Sequence, residues 1–221
     1  MTEPVVDHTY SILYENDLMV AVSKPGNMPV HEGGLYVHNC LTAILEKKFG
    51  YRLFPVFRLD RETSGIVIFA KNSCDVKKLF NSIQSKEYLA LVRGVVKEEM
   101  VIDEPIAETT GDYIRWKKCV RSDGKKSVTT IFPVRVIGDY TLVRVRPLTG
   151  RQHQIRVHLS HTGHPIMGDK VYGESDKLFK EYVDGGEVGL RQMLHLARVV
   201  VAELIIECEM PEDMKEQCGS H

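Results

Sequence analysis

The feature that most constrains the fold is a pair of apolar, strand-like segments separated by only two residues. Residues 128–137 (VTTIFPVRVI) and 140–146 (YTLVRVR) flank Gly138 and Asp139. A Gly-Asp pair between two such segments is typical of the tight turn of a β-hairpin. This part of the chain is therefore expected to form two antiparallel strands, which favours a sheet in which consecutive strands are neighbours.

The other segments indicate short strands and a few short helices. Strands are predicted at residues 11–14, 19–23, 66–70 and 88–92, and the turn-forming residues at 24–34 predict a loop. Apolar spacing predicts helices at residues 41–49 behind an Asn39 cap, at 76–83 behind Ser73, and at 152–160. Because strands outnumber helices and often follow one another, the predicted fold class is α+β with a largely antiparallel sheet.

Composition excludes several classes of protein. With 43% hydrophobic and 27% charged residues, the 221-residue chain is close to globular averages. Its apolar stretches are far too short to span a bilayer, and its first residues lack the pattern of a secretory signal.

Five cysteines without a CxxC pair favour a reducing compartment. We therefore expect a cytoplasmic protein without a membrane partner, and a monomer, since no heptad or apolar stripe argues for assembly.

Charge is distributed unevenly, although the formal net charge is −1. Between Tyr113 and His158 there are eleven Lys and Arg residues and two acidic residues. Between Glu174 and Glu216 there are eleven acidic residues and five basic ones. A basic block in a neutral protein is typical of a surface that faces a polyanion. The alternative is a set of solvated hairpin faces, and charge alone does not distinguish the two.

Motifs for several kinds of chemistry are absent from the sequence. It contains no GxxxxGK[ST] phosphate loop, no GxGxxG dinucleotide motif and no GxSxG hydrolase turn. The four histidines His153, His158, His161 and His164 lack the spacing of metal ligands, so we expect them to be polar or RNA-facing. Neither a metal nor a cofactor is therefore expected, and any chemistry must rest on ordinary side chains.

The segment FRLDRETSGIVIFAKN, at residues 57–72, places a charged turn directly before an apolar strand. Asp60 lies between Arg58 and Arg61, whose positive charge favours the ionised carboxylate. Gly65 permits a sharp turn into the strand. Such a loop is held firmly at one end, which suits a nucleophile. On its own, however, the segment is more typical of a common surface turn.

Two further segments offer functional side chains. KEYLALVRG, at residues 86–94, begins a strand near Tyr88, and LTGRQHQIRVHLSHTGHPIMGDKVYG follows at residues 148–173. The second contains Arg151 and Arg156, which suit phosphate or carboxylate, with Ile155 as an apolar neighbour. Taken singly, these segments are also consistent with a half-buried strand tyrosine and a basic helix end.

Together, and in this order, the three segments resemble those of the RluA-type family of RNA pseudouridine synthases. Residues 12–34 resemble the family's opening strand and loop, and MLHLARV at 193–199 resembles its closing segment. The resemblance implies an α+β catalytic domain at residues 12–209, with a bent, mostly antiparallel mixed sheet flanked by helices and loops. An extension at residues 1–11 and a tail at 210–221 would flank it, without an S4-like RNA-binding domain.

The resemblance implies an enzyme that isomerises specific uridines of structured RNA, either rRNA or tRNA, to pseudouridine without a cofactor. The residues to which it assigns roles are, for catalysis, Asp60, Tyr88 and Arg156 and, for binding RNA or the base, Arg58, Arg61, Arg151 and Ile155. One departure stands out, because Phe57 occupies the position where the family usually has His. An aromatic hydrocarbon ring cannot form the hydrogen bonds of an imidazole.

Individual roles follow from the same resemblance. Asp60 is implied as the catalytic carboxylate and Arg156 as its ion-pair partner. Tyr88 would pack on the base and is a candidate for removing the C5 proton. Arg58 would fill the stack that the flipped uridine vacates, and Ile155 would line the apolar side of the base pocket.

Two other functions remain open at the level of the sequence. A non-catalytic RNA-binding module would need the basic block but not Asp60 and would modify no uridine. A hydrolase that used Asp60 and the histidines would need a metal, so a chelator would abolish its activity. The missing ligand spacing argues against the hydrolase, and the intact Arg-Leu-Asp loop argues against the binding module.

Overall fold

The computed structural model describes residues 3–110, 117–173 and 189–219. Its strands are β1 (Ser11–Glu15), β2 (Met19–Lys24), β3 (Phe54–Pro55), β4 (Ser64–Ala70), β5 (Ile83–Arg93), β6 (Met100–Asp103), β7 (Ile106–Glu108), β8 (Lys118–Val120), β9 (Val128–Ile137), β10 (Tyr140–Pro147), β11 (Leu194–Val201) and β12 (Leu204–Glu207). Its helices are α1 (Leu41–Phe49), α2 (Val76–Ser82), α3 (Gln154–His161) and α4 (Glu212–Gln217). Arg115 of the basic block and residues 174–188 of the acidic stretch lie outside the described residues.

The chain forms two compact units, of which the first comprises Met1–Lys86 and His195–Glu212. Its strands lie in the order β1-β2-β4-β11-β12, and β3 also pairs with β4. The described pairs of this unit are antiparallel, apart from the parallel pair of β4 with β11. Because β4 has neighbours along both sides, all seven of its residues are buried. This explains why the sequence of β4 is continuously apolar rather than alternating.

Gly65 makes the parallel pairing of β4 and β11 possible. Its φ is +111°, and a Cβ at this position would overlap the backbone of Leu196, above all its carbonyl oxygen. Only glycine allows both this conformation and this close approach. The sharp turn expected at Gly65 therefore reflects a contact with a strand about 130 residues later in the chain.

Helix α1 has the predicted bounds but a different N-terminal cap. Leu41 and Leu45 are buried, and Gly50 ends the helix at φ 75° with its N–H bonded to the Glu46 carbonyl. The prediction of Asn39 as the cap was wrong, since Cys40 occupies that position without a side-chain cap bond. The Asn39 side chain instead donates to the Pro4 carbonyl at 2.7 Å.

Helix α2 is shorter than predicted. Ser73 does not cap it, because residues Ser73–Asp75 form a 3₁₀ turn and Asp75 precedes the helix. Ile83 lies not in the helix but at the beginning of β5, five residues before the predicted start of that strand. The apolar spacing of residues 76–83 therefore continued past the true end of the helix.

The second unit comprises Glu87–Leu194 and Asp213–His221. Its described strands lie in the antiparallel order β5-β10-β9-β6, and β7 and β8 form a separate antiparallel pair. The predicted hairpin around Gly138 is confirmed, with Tyr140 opposite Ile137. Strand β10 also pairs with β5, where Val145 lies opposite Tyr88.

Helix α3 begins two residues later and ends one residue later than predicted, and it packs on a small core of its own. Val157 from the helix packs with Ile106, Val171 and Tyr172. Farther along the chain, α4 buries Met214 and contributes Asp213, which binds Arg191 at 2.5 and 2.9 Å.

The α+β class with a mostly antiparallel sheet is confirmed. None of the helices described in the structure has the length and hydropathy needed to cross a membrane.

Candidate functional site

The loop that carries Asp60 lies in the first unit, between β3 and β4. The Val56 amide donates to the Ile68 carbonyl at 2.8 Å, and the Thr63 amide donates to the Asp60 carbonyl at 3.1 Å. Phe57 is buried, Arg58 is exposed and Asp60 is partly exposed. The backbone of the loop is thus held on both sides of a carboxylate that solvent can reach.

Lys24 fixes the middle of this loop from the end of β2. Its side chain is buried, and its ammonium donates to three carbonyl oxygens: Pro25 at 2.9 Å, Met28 at 2.8 Å and Arg61 at 3.1 Å. Three acceptors satisfy all three N–H groups, which is the condition for burying an ammonium. The residue after Asp60 is therefore tied to the turn-rich loop after β2.

Ser64 fixes the end of the loop through a buried histidine. The Ser64 hydroxyl lies 2.9 Å from Nδ1 of His195 on β11, and Nε2 of His195 lies 3.2 Å from the Cys208 carbonyl. Because a carbonyl only accepts, Nε2 carries hydrogen, and in the neutral ring Nδ1 accepts from the serine. Nothing in the local sequence around Ser64 indicated this partner.

The two arginines beside Asp60 are used differently. Arg61 donates to the Tyr36 hydroxyl at 3.0 Å and to a Glu62 carboxylate oxygen at 3.3 Å. Arg58 is exposed, and no ion pair or hydrogen bond of its side chain occurs among the interactions of the described residues. The Arg58 side chain is therefore available to a ligand, whereas the Arg61 side chain also links its loop to Tyr36.

The ring of Phe57 is in contact with a lysine side chain. The ammonium of Lys86, at the beginning of β5, lies 3.4 Å from the centroid of the Phe57 ring. This distance is well within the range of a cation–π interaction. Burial lowers the pKa of Lys86 from the usual range of a lysine to about 8. Phe57, the residue that differs from the family pattern, is thus in contact with the charged side chain of Lys86.

In the second unit, Arg156 is buried on α3 and forms a two-point ion pair. Its Nε donates to Oδ2 of Asp169 at 2.7 Å, and its Nη2 donates to Oδ1 at 2.9 Å. The guanidinium also lies 5.0 Å from the ring centroid of Tyr172. The orientation of Arg156 is therefore set by Asp169 and Tyr172, two residues to which the sequence analysis assigned no role.

Asp169 is held in its ionised form. Burial raises the pKa of its carboxyl, but the adjacent Arg156 guanidinium and the amides of Tyr172 and Val171 outweigh burial and hold it below its usual range. Those amides donate to Oδ1 at 3.0 and 2.9 Å. The preceding Gly168 has φ +75°, and a Cβ there would overlap the Arg191 carbonyl. A close backbone approach thus fixes the turn that presents Asp169.

Replacing Asp169 by Asn should lower the free energy of unfolding by about 3–5 kcal/mol, because the buried Arg156 would lose its two-point ion pair with Asp169. Urea denaturation at pH 7 measures this loss. Because the native pKa of Asp169 is lowered, the unfolded chain takes up this proton first as the pH falls, and the difference between the two proteins should shrink below about pH 4.

The matched control is Asp123→Asn, which breaks the exposed ion pair of Asp123 with Arg121 and should cost less than about 1 kcal/mol. Equal effects of the two substitutions would contradict a structural role of the Arg156–Asp169 pair.

The turn before α3 is held by Gln154, the first residue of the helix. Its Oε1 accepts from the Thr149 hydroxyl at 2.7 Å and from the Arg151 amide at 3.0 Å, while Nε2 donates to the Val128 carbonyl at 2.9 Å. His153 adopts a left-handed φ of 57°, which is unusual for a non-glycine residue. Arg151 is exposed, and its Nε donates to the Lys126 carbonyl at 3.2 Å.

Three histidines of the third segment, His153, His158 and His164, hydrogen-bond to different parts of the protein. His153 bonds the Tyr172 hydroxyl at 2.8 Å, and His164 bonds the Arg93 carbonyl at 2.9 Å. His158 is fully buried between the Thr129 hydroxyl and the Glu104 carbonyl, and burial lowers its pKa. His158 therefore does not face RNA. Within the part of the chain that the structure describes, no three His, Cys, Asp or Glu residues form a cluster that could hold a metal ion.

The structure gathers the predicted residues into two sets. Arg58, Asp60 and Arg61 share one loop of the first unit. The second unit contains Tyr88, partly exposed on β5, together with Arg151 and the buried pair Ile155 and Arg156. The approach of Arg156 to Asp60, which the resemblance implies, stays a prediction. Lys24, Lys86, His195 and Asp169 are the supporting residues that sequence reasoning missed.

Comparison with known proteins decides the family. A family model described as RNA pseudouridylate synthase matches residues 18–161, which is more than half of the chain and includes the Asp60 loop, Tyr88 and Arg156.

The chain belongs to this family.

Individual relatives agree with the assignment. The chain is 34% identical to tRNA pseudouridine synthase C of Vibrio cholerae, covering 85% of this chain and 83% of the relative. It is 36% identical to tRNA pseudouridine(31) synthase of Saccharomyces cerevisiae, covering 74% of this chain but 46% of the relative. The chain thus spans less than half of the length of that yeast pseudouridine synthase.

Solved structures of pseudouridylate synthases have the same fold. The structure titled Human RNA Pseudouridylate Synthase Domain Containing 4 superposes with a TM-score of 0.75 at 25% identity, covering 95% of this chain and 92% of that one. Human RNA Pseudouridylate Synthase Domain Containing 1 gives a TM-score of 0.76 at 25% identity, covering 97% and 90%. The family is therefore supported by both sequence and fold.

Proposed function

We propose that this protein isomerises specific uridines of structured RNA to pseudouridine. The observation that carries the proposal is the Asp60 loop, in which a partly exposed carboxylate lies on a backbone held by Lys24 and Ser64. Rigid support on both sides is what a nucleophile or base needs to act from a fixed position. Membership in the RNA pseudouridylate synthase family makes uridine the substrate.

In the proposed reaction the bond between C1′ and N1 of the uridine breaks, and a bond between C1′ and C5 forms after the base has rotated. The hydrogen on C5 leaves as a proton, and N1 gains one, so atoms and electrons balance without a cofactor. In this reaction Asp60 serves as the catalytic carboxylate, with Arg156 as the ion-pair partner that the resemblance to the family implies. Tyr88 packs on the base and accepts the C5 proton.

The remaining predicted residues bind the RNA. Arg58 is exposed and takes the place of the flipped uridine in the base stack, where its planar guanidinium restores part of the lost stacking. Ile155 lines the apolar side of the base pocket. Arg151 and Arg61 contact phosphates near the target nucleotide.

The relatives' names favour tRNA as the first substrate to test, with rRNA as the alternative. We propose a single catalytic domain at residues 12–209, working as a monomer in the cytoplasm. The deciding experiment incubates the protein with tRNA and rRNA transcripts and maps pseudouridine by chemical labelling. Pseudouridine at defined sites supports the proposal. RNA binding without any pseudouridine would instead indicate a non-catalytic RNA-binding module.

Binding should depend steeply on salt through the basic block. Lys125, Lys126 and Arg151 are exposed residues of this block, and log affinity should fall linearly with log salt if such residues contact phosphates. Reversing the charge of Lys125 and Lys126 to Glu should reduce the magnitude of that slope by about 1.5, or about 0.7–0.9 for each lost contact. The modified uridine should stay the same.

The control is the same double reversal at Lys77 and Lys78, which are exposed on α2 and change the net charge equally. Fluorescence anisotropy at a series of salt concentrations measures both slopes. Identical slopes for the two double variants would return the basic block to a solvated surface.

A further inference from the structure

Lys86 is a partly buried cation with an unusual partner. Its ammonium lies 3.4 Å from the centroid of the Phe57 ring, and no ion pair or hydrogen bond of its side chain occurs among the interactions of the described residues. Placing an ammonium away from water and without an anion is unfavourable. A Met at this position would fill similar space without that penalty. Packing alone therefore does not explain why position 86 has a charged side chain.

The place of this charge connects it to the loop. Phe57 is buried and lies three residues before Asp60, and its backbone follows Val56, whose amide is bonded to β4. Lys24 and Ser64 hold the loop after Asp60, whereas Phe57 is one of the buried side chains that precede Asp60. A cation on the face of that ring restricts both the ring and the backbone that leads to Asp60.

We propose that Lys86 is a positioning residue for Asp60, and that it acts through its cation–π contact with Phe57. The proposal rests on the proposed function, since it assumes that Asp60 is the catalytic carboxylate. It also gives a physical reason for the departure at position 57. An imidazole is a polar ring that hydrogen-bonds and titrates, whereas a phenyl ring presents the same attractive face to the ammonium at every pH.

Both elements carry charged residues adjacent in sequence to the pair. The loop contributes Arg58, Asp60 and Arg61, of which Arg61 is bound to Glu62. On β5 the next residue is Glu87, which is paired with Arg146 of β10. Burial is the cause that lowers the pKa of Lys86 to about 8, so its ammonium loses its proton at a pH at which a free lysine keeps it.

The test compares kcat for pseudouridine formation in Lys86→Met, Lys86→Arg and the wild type between pH 6 and 9. Wild-type kcat should fall as the pH rises through about 8, as Lys86 loses its charge. Lys86→Met should have kcat about 10- to 100-fold lower at pH 7, without that alkaline limb and with KM for RNA little changed. Lys86→Arg keeps the charge and should restore kcat and extend the plateau to pH 9.

Stability separates positioning from ordinary packing. Because the native pKa of Lys86 is lowered, the unfolded chain binds this proton more tightly between about pH 8 and 10.5, and burial of the charge disfavours folding at pH 7. Lys86→Met should therefore melt no lower than the wild type while losing activity. Lys77→Met, on the exposed face of α2, is the matched control and should change neither kcat nor Tm.

Phe57 tests the other side of the contact. Phe57→Leu should reduce kcat to a similar extent as Lys86→Met, and the double variant should be no worse than either. Wild-type kcat in Lys86→Met across the whole pH range, or additive losses in the double variant, would overturn the proposal.

Failure of the proposed function looks different. In that case the wild type itself forms no pseudouridine with any transcript. The contact is then still tested by the pKa of Lys86 from an NMR titration, which should rise towards that of a free lysine in unfolding conditions, and by non-additive stability changes in the Phe57 and Lys86 variants. A native pKa near 10.5 together with additive stability changes would overturn the contact by itself.

Discussion

Asp60→Asn should bind target RNA with unchanged affinity and form no detectable pseudouridine. The substitution keeps the size of the side chain but removes the negative charge that a nucleophile or base needs. The loop itself should persist, because the hydrogen bonds of the Asp60 and Arg61 backbone and of the Lys24 and Ser64 side chains remain. The effect should therefore appear in kcat and not in the dissociation constant.

A suitable control is Asp17→Asn, which makes the same chemical change in the exposed turn between β1 and β2. Anisotropy with a labelled transcript measures binding, and single-turnover assays measure product. An Asp60→Asn rate within tenfold of the wild type would remove this residue from the chemistry. An unfolded Asp60→Asn protein would be recognised by its circular dichroism and would be replaced by Asp60→Ala.

Tyr88→Phe should release tritium from C5 of the target uridine at least about a hundredfold more slowly than the wild type, the usual scale for losing a general base. Each completed turnover transfers that hydrogen to water, so the label reports the last chemical step. The phenyl ring keeps the aromatic surface that packs on the base, so RNA affinity should change much less. RNA in which C5 of the base is already joined to C1′ of the ribose, but in which C5 still carries its hydrogen, should accumulate.

Tyr140→Phe is the matched control, because Tyr140 is a partly exposed tyrosine at the start of β10, where it pairs with Arg93. It should release tritium at the wild-type rate. If Tyr88→Phe also did so, Tyr88 would serve only as packing for the base, and another group or water would remove the proton.

Local patterns predicted most of the elements. The hairpin at Gly138, the buried strand β4 and helix α1 follow from turn residues and apolar spacing, which act over a few residues. Among the described elements, local patterns did not predict six strands and one helix, namely β3, β6, β7, β8, β11, β12 and α4. Other errors occurred at the ends of predicted elements. Asn39 was the expected cap of α1, but its side chain binds Pro4, which the local sequence did not reveal. Ile83 continued the spacing of α2 but belongs to β5.

The resemblance singled out Asp60, Tyr88 and Arg156 but not the groups that support them. Those supports join residues far apart in sequence, such as Phe57 with Lys86 and Ser64 with His195. Asp169 lies within the third segment of the resemblance, at residues 148–173. The local sequence around it nevertheless did not indicate that its carboxylate pairs with Arg156 on α3. Tertiary packing decides such pairs, and a single sequence does not show it.

The parallel pairing of β4 with β11 has a consequence for synthesis of the protein. His195 leaves the ribosome 131 residues after Ser64, so a nascent chain holds a finished Asp60 segment long before the strand beside it exists. Contacts of such long sequence separation form late and slow folding. During translation the segment around Asp60 is therefore without its final neighbour, and competence for the reaction arises only once the downstream half has been made. A chaperone that shields β4 in that interval would protect the apolar residues 66–70 from aggregation.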